Sequence, residues 1–169
     1  MYQIFKDPKF RIVRLIFVAV FTLSFAVDSA YADNYVVLDG LGGLHSKSME
    51  PEVQRLQSMG HNVTYRPWWR WRSAVRATNG PVNVIGYSLG GSRANRFARK
   101  TDVRSMELID PVRVVGKIRL PKTAMNTTVY RASSPTVIRS SKVRGRHSEV
   151  RIPTNHSGIP ARYHSMKRR

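Results

Sequence analysis

The sequence contains no cysteine, which excludes a disulfide framework, a zinc–thiolate site and a cysteine nucleophile. Its histidines show no H-x-x-x-H spacing and have few carboxylates near them, so we expect no metal site. The glycine-rich phosphate-binding fingerprints of nucleotide-binding proteins are absent as well, and we expect no cofactor. Any chemistry must therefore come from ordinary side chains and the backbone.

Acidic residues are also few: 10 Asp and Glu stand against 29 Lys and Arg, a formal charge of +19 at pH 7. A field of this sign attracts anionic partners such as lipid head groups, acidic polysaccharide or nucleic acid. The alternative interpretation is a basic surface that simply faces water, because net charge bears on association and not on fold. We favour this second interpretation; the charge also allows peripheral contact with anionic surfaces, and we expect no specific nucleic-acid partner.

The one long apolar run, LIFVAVFTLSFAV, covers residues 15–27 and follows several basic residues. Ala30-Tyr31-Ala32 places small residues at the two positions that a signal peptidase reads. We therefore expect residues 1–32 to be a signal peptide cleaved after Ala32, and the mature chain to be periplasmic or secreted. The alternative is an uncleaved anchor, although the run is short for a bilayer span of roughly 20 residues.

The expected mature chain, residues 33–169, has a formal charge of +17, and we expect it to form a single domain with a basic C-terminal tail and no transmembrane segment. Short apolar runs predict strands at NYVVLD, HNVTYR, PVNVIGYS, VRSMELID and TTVYRAS, and SEVRI allows a sixth short one. Residues from 141 onward otherwise indicate loops.

Helical patterns separate the predicted strands. One covers residues 49–59 behind an N-cap at Ser48, with Met59 on its apolar stripe and Gly60 as its stop. A second is entered through Pro67 and covers residues 67–77, and a third follows the glycines after residue 88. Strands that alternate with helices imply crossover connections. The predicted fold class is therefore α/β, a three-layer sandwich with a mostly parallel central sheet.

Tryptophans and arginines alternate in PWWRWRSAVRA, residues 67–77. Such a cluster could bind a sugar, a lipid or a base through stacking and cation–π contacts. We favour the interpretation that two of the tryptophans pack in the core while the arginines face water.

The segment VNVIGYSLGGSRANRFARK places Ser88 between a predicted strand and a predicted helix. Gly86 and Gly90 lie two residues to either side and leave room for a strained turn. A serine hydroxyl is a weak nucleophile unless a histidine takes its proton and a carboxylate orients that histidine. The following helix would also direct its first N–H groups at a developing oxyanion. The alternative is a purely structural glycine turn.

In these residues the chain resembles the α/β-hydrolase family, specifically its small lipase- and esterase-like members. NVIGYSLGG is similar to the nucleophile elbow of those enzymes, and VVLDGLGG to the loop that supplies an oxyanion donor. MELIDP is similar to the strand end that carries the acid, and TNHSGIP to the segment with the histidine. The resemblance covers most of residues 34–160 and implies a minimal α/β-hydrolase fold.

The resemblance implies that Ser88 is the nucleophile, Asp110 the orienting acid and His156 the general base. The backbone N–H groups of Leu41 and Leu89 would form the oxyanion hole. Asp39 departs from the family pattern, because a histidine commonly stands there before the loop glycine, and the loop donor is therefore left open.

Alternatives remain for two of these roles. Asp110 could instead end a turn before a proline, and Glu149 and Asp102 are its rivals. The competing histidines are His45, which would line the site, His61 and His164, which we expect to face solvent, and His147, which lies among arginines that disfavour a protonated ring.

The leading hypothesis is an exported serine hydrolase that cleaves ester or thioester bonds of small-molecule or lipid acyl substrates through an acyl-serine intermediate. The second hypothesis is a catalytically inactive basic binding protein on a hydrolase scaffold, attached to anionic envelope surfaces. Fold alone does not establish activity. Labelling with a fluorophosphonate separates the two hypotheses, because it requires an activated serine.

Overall fold

A computed structural model describes residues 32–41, 47–124, 126–134, 138 and 140–168. The expected signal peptide, apart from Ala32, and His45 lie outside the described residues. All the elements given below belong to one unit, Asp33–Arg169.

Six parallel strands form the central sheet, in the order β2-β1-β3-β4-β6-β8. They are β1 (Asn34–Asp39), β2 (Asn62–Pro67), β3 (Val82–Tyr87), β4 (Val103–Ile109), β6 (Thr127–Ala132) and β8 (Ser148–Ile152). Two further strands, β5 (Ile118–Arg119) and β7 (Val143–Arg144), pair with each other in a separate parallel sheet. The sequence did not predict this pair, because two residues are too few to show an alternating pattern.

Four α-helices connect or follow the strands: α1 (Glu50–Ser58), α2 (Trp71–Ala77), α3 (Leu89–Phe97) and α4 (Ile159–Lys167). A 3₁₀ turn, Trp68–Arg70, precedes α2, because Pro67 is extended and ends β2 instead of opening the helix as predicted. Met49, not Ser48, is the residue that caps α1. Met59 follows α1 and is 56% exposed, so its predicted place on the buried stripe is wrong.

The helices cover both faces of the sheet. Successive side chains along each strand point to opposite faces, so the core has two parts, one on each face. Val36 and Leu38 point to the face packed by α2 and α3, whereas Val37 points to the face packed by α1 and α4. Because both faces are covered, the central strands are nearly continuous apolar runs. The predicted α/β three-layer arrangement with a mostly parallel sheet is confirmed.

Helix α4 lies where the sequence analysis expected loops. Its anchor is Tyr163, which is fully buried, packs edge-on against the ring of Tyr130 at 5.0 Å and donates a hydrogen bond of 2.9 Å to Glu107. Only three residues of α4 are buried, so its sequence carries almost no apolar stripe. This short stripe explains why the pattern did not reveal the helix.

The tryptophan cluster divides between core and surface. Trp71 packs against the core, Trp69 is 39% exposed, and Trp68 is half-buried beneath the guanidinium of Arg93 at 5.2 Å. The expected core packing of two tryptophans therefore holds for Trp71 and only in part for Trp68. Within the described residues, no helix combines the length and the apolar character needed to cross a membrane.

Candidate active site

Ser88 occupies the sharp turn between β3 and α3, with φ 54° and ψ −121°. A side chain at positive φ costs about 1–3 kcal/mol and persists only where neighbouring contacts hold it. Here the N–H of Ser88 donates to the carbonyl of Ile109 at 3.0 Å. Its own carbonyl accepts from the N–H groups of Gly91 at 3.0 Å and Val112 at 2.8 Å. The surrounding backbone therefore fixes the serine in this conformation.

The glycines around Ser88 are required by close packing. A Cβ on Gly90 would lie 2.0 Å from the carbonyl oxygen of Leu38, and a Cβ on Gly86 would lie 2.8 Å from the Cβ of Ala94. A Cβ on Gly40 would lie 2.8 Å from the Cβ of Ser88. These distances are far below ordinary contact, so β1, β3 and α3 approach one another only because side chains are missing there.

The structure brings Ser88, Asp110 and His156 together, although they follow three different strands. His156 Nε2 lies 3.0 Å from Ser88 Oγ, and His156 Nδ1 lies 2.5 Å from a carboxylate oxygen of Asp110. All three residues are buried. Because an ionised carboxylate only accepts hydrogen bonds, the proton of a neutral His156 belongs on Nδ1, which leaves Nε2 free to accept from the serine.

Asp110 is held in place from both sides. Its own φ is 40°, and its N–H donates to the carbonyl of Tyr130 at 2.7 Å. Its second carboxylate oxygen accepts from the N–H of Ala132 at 3.3 Å. The carboxyl ends of β3, β4, β6 and β8 lie at one edge of the parallel sheet, which is where such sheets place their sites.

Tyr87 is a site residue that the sequence analysis did not single out. Its hydroxyl donates a hydrogen bond of 2.9 Å to the backbone carbonyl of His156, and the two rings stack with centroids 5.3 Å apart. Burial, followed by the charges of Asp39 and Asp110, raises the pKa of Tyr87, so the phenol remains a donor. The sequence shows that Tyr87 precedes the serine. It does not show the contact with His156, because the two residues lie 69 positions apart along the chain.

Asp39, where the sequence departs from the family pattern, links the end of β1 to the start of α1 and to β2. It is fully buried, and its carboxylate accepts from the N–H of Gly40 at 2.7 Å, the N–H of Met49 at 3.3 Å and the hydroxyl of Tyr65. The N–H of Gly40 is thus occupied, and the next N–H along the chain is that of Leu41. Burial and the hydrogen bond from its hydroxyl to Asp39 raise the pKa of Tyr65.

The two predicted oxyanion donors are the N–H groups of Leu89 and Leu41. Leu89 is the first residue of α3, so its N–H has no acceptor within the helix. Leu41 is 61% exposed and is the last described residue before 42–46. Its N–H as an oxyanion donor stays a prediction.

The rival residues have other partners. Glu149 pairs with Arg131 at 2.7 Å, and this contact lowers the pKa of its carboxyl. The Nδ1 atom of His147 lies 2.8 Å from the carbonyl of Gly145. Asp102 is exposed, and its carbonyl accepts from Val82 at the amino end of β3, away from the edge that carries Ser88.

The remaining two histidines do not face solvent as expected. His61 is half-buried and accepts the N–H of Asp33 at 3.2 Å. His164 is 18% exposed and contacts Glu52 at 3.2 Å. In the described part of the chain, no group of three or more His, Cys, Asp or Glu could hold a metal ion.

The parallel sheet, the positive-φ serine at its carboxyl edge and the Ser–His–Asp contacts place the chain among three-layer α/β proteins with a serine-centred candidate site. Its structure is similar to that of a proposed hydrolase of the alpha/beta superfamily from Xanthomonas campestris pv. campestris, with a TM-score of 0.50 and 12% sequence identity. The match covers 80% of this chain and 98% of the other. At this identity the likeness supports the fold. No protein-family model and no curated protein matches the sequence.

Proposed function

We propose that this protein is a serine hydrolase of carboxylic esters or thioesters that works through an acyl-serine intermediate. The observation that carries the proposal is the position of the His156 ring, within hydrogen-bond distance of both Ser88 Oγ and the Asp110 carboxylate. A nucleophile, a base within reach of it and a group that orients the base are the minimum set for this chemistry.

In the first step, Ser88 Oγ attacks the carbonyl carbon of the substrate while His156 Nε2 takes the hydroxyl proton. Asp110 accepts a hydrogen bond from Nδ1–H without taking the proton, and it stabilises the imidazolium that forms. The carbonyl oxygen becomes an oxyanion held by the N–H of Leu89 and, in the proposal, that of Leu41. Each such donor contributes about 3 kcal/mol to the stability of the transition state.

Collapse of this intermediate breaks the bond to the alcohol or thiol, which leaves with the proton from His156 Nε2. A water molecule then attacks the acyl-serine and gives its proton to the same nitrogen. The acid is released, and Ser88 recovers its proton from His156. Every proton in this cycle passes through one nitrogen, so the reaction requires no metal or cofactor.

The same proposal includes export of the protein. Cleavage after Ala32 would give a mature chain that begins at Asp33 and acts in the periplasm or outside the cell. Mass spectrometry of the protein recovered from its native compartment measures this directly. A chain that still carried residues 1–32 would contradict cleavage and favour the uncleaved anchor.

Fluorophosphonate labelling followed by mass spectrometry tests the catalytic part. We expect one adduct, on Ser88, which is absent in Ser88→Ala and at least about 100-fold slower in His156→Ala, because the base supplies a factor of this order. Ser165→Ala is the matched control, since Ser165 is an exposed serine on α4. A folded wild-type protein that formed no adduct would contradict the hydrolase and favour an inactive basic binding protein.

A further inference from the structure

An open cleft of about 540 Å³ lies between α3 and the segment that connects β4 to β5. Five arginines line it, namely Arg93, Arg96, Arg99, Arg113 and Arg119. No acidic residue lines it, and within the described residues none of these five arginines forms an ion pair. The cleft therefore concentrates positive charge that nothing described in the protein neutralises.

Four of the five arginines are exposed, and two of them, Arg99 and Arg113, donate to the backbone carbonyls of Arg119 and Lys117. Arg93 and Arg96 lie on one face of α3, which also carries Leu89 and Ser92 toward the cleft. Arg93 is held over the ring of Trp68 at 5.2 Å. Burial, together with the charge of Arg96 and other arginines, lowers the pKa of Arg93, which indicates that these guanidinium groups repel one another. A bound anion would relieve this repulsion.

Three residues that line the cleft carry buried polar atoms that lack partners. Trp68 Nε1, Arg93 Nε and Asn95 Oδ1 have no hydrogen-bond partner in the described part of the chain, and all three residues line the cleft. Asn95 is only 7% exposed. Buried polar groups are normally paired, so a cluster of unpaired ones needs a specific explanation. These atoms are shielded from solvent, so a ligand in the cleft would pair with them only after the three side chains rotate.

The cleft lies next to the candidate nucleophile in sequence and in hydrogen bonding. Leu89, the residue after Ser88, lines it, and Val112, the residue before the lining Arg113, donates its N–H to the carbonyl of Ser88 at 2.8 Å. Arg96 lies seven residues beyond Leu89, about 10 Å along the helix axis. A group bound by these arginines would therefore lie within the length of one small substrate molecule whose ester carbonyl is at Ser88.

Two exposed valines add an apolar rim to the same cleft. Val114 is 87% exposed and Val115 is 77% exposed, and both belong to the wall that carries Arg113. Cationic walls with an apolar rim fit an amphiphile better than a free sugar.

We propose that this arginine cleft is a substrate subsite that binds a phosphate group on the ester hydrolysed at Ser88, so that the preferred substrates are single-chain acyl esters with a phosphate-bearing alcohol. The inference rests on the proposed function. Arginine is the side chain best suited to a phosphate, because its planar guanidinium binds two oxygens at once.

The first experiment measures binding without chemistry, by titration calorimetry of Ser88→Ala protein with glycerol 3-phosphate, inorganic phosphate and glycerol. We expect saturable binding of glycerol 3-phosphate that weakens by about 10-fold or more when Arg96→Gln and Arg119→Gln are added, since two charge-assisted contacts are lost. The matched control adds Arg76→Gln and Arg168→Gln, two exposed arginines outside the cleft. Equal weakening in both pairs, or binding of glycerol alone, would overturn the subsite.

The second experiment compares kcat/KM for 1-octanoylglycerol 3-phosphate and 1-octanoylglycerol, which share one ester and differ only in the phosphate. We expect the wild-type enzyme to prefer the phosphate ester, and the ratio to fall by about 10- to 100-fold in Arg96→Gln/Arg119→Gln and in Arg93→Gln. A ratio that the cleft variants leave unchanged would overturn the substrate assignment, and would leave only a site for free phosphate.

The two proposals fail in different ways. If wild-type protein formed no fluorophosphonate adduct while Arg96→Gln/Arg119→Gln still lost glycerol 3-phosphate binding, the hydrolase function would be wrong and the anion site would stand. If both esters were hydrolysed with equal kcat/KM, the hydrolase would stand and the phosphate subsite would be wrong.

Discussion

The hydroxyl of Tyr87 donates a hydrogen bond of 2.9 Å to the backbone carbonyl of His156, and the ring of Tyr87 stacks on the imidazole. The residue immediately before the candidate nucleophile thus holds the candidate base. This contact joins the end of β3 to the loop after β8 and fixes both the height and the tilt of the imidazole above Ser88.

Tyr87→Phe keeps the ring stack and removes the hydrogen bond. We expect kcat to fall about 10-fold with little change in KM, because the base loses part of its orientation and the buried carbonyl of His156 loses its donor. Steady-state kinetics and the rate of fluorophosphonate labelling of Ser88 measure this. The control is Tyr35→Phe, because Tyr35 is a half-buried tyrosine near the amino end of β1, at the opposite edge of the sheet from Ser88. A loss of stability with an unchanged labelling rate would show that Tyr87 has a purely structural role.

Asp110→Asn tests the orienting carboxylate. We expect kcat to fall by about 10⁴-fold, because an amide can donate to Nδ1 and so favour the tautomer whose Nε2 carries the proton. The fold should persist, since the Oδ1 of asparagine can still accept from the N–H of Ala132. Asp102→Asn is the control, because Asp102 is exposed at the opposite end of the sheet. An Asp110→Asn enzyme with wild-type kcat would contradict the proposed role.

Gly90→Ala tests the close approach between α3 and β1. The added Cβ would lie 2.0 Å from the carbonyl oxygen of Leu38, so we expect a loss of about 3 kcal/mol in the free energy of unfolding and loss of activity. Gly80→Ala is the comparison, because its φ is +80° and no atom lies within 4 Å of the added Cβ. Strain alone should cost Gly80→Ala about 1 kcal/mol. Urea unfolding of both variants measures the difference, and equal losses would contradict the packing argument.

Buried tyrosines predict a loss of stability at high pH. Burial raises the pKa of Tyr87, Tyr130 and Tyr163 above the ordinary value of 10.0. Below that value these tyrosines are protonated in both states, so they contribute no pH dependence. Above it the unfolded chain releases protons that the folded chain retains, and each such tyrosine lowers stability by up to about 1.4 kcal/mol per pH unit.

Urea titrations at neutral and alkaline pH measure this slope. Tyr130→Phe should lower by up to one the number of protons that the unfolded chain releases and the folded chain retains. The free energy of unfolding should then fall less steeply with pH. A slope that did not change in Tyr130→Phe would show that this tyrosine titrates alike in the folded and unfolded chains.

The strand pattern and the turn at Ser88 could be predicted because both depend on neighbouring residues. β-branched runs bounded by glycine appear in the sequence itself, and the central strands are found where they were predicted. Helix α4 could not be found in this way, since its fold depends mainly on Tyr163 packing against Tyr130 and Glu107 from other strands. The arginine cleft also escaped prediction, because β4 separates α3 from the β4–β5 segment along the chain and only the fold places the two side by side.

The sequence by itself determined the α/β alternation, the tight turn around Ser88 and the strongly basic character of the chain, because local propensity, glycine spacing and composition are properties of short segments. Only the tertiary structure decided which histidine meets the serine and which carboxylate meets that histidine. His156 contacts Ser88, which lies 68 positions away in sequence, and it contacts Asp110, which lies 46 positions away. Such contacts arise when parallel strands bring their carboxyl ends to one edge of the sheet. The hydrogen bonds from Tyr65 to Asp39 and from Tyr87 to His156 come from the same convergence of strand ends, which no short segment encodes.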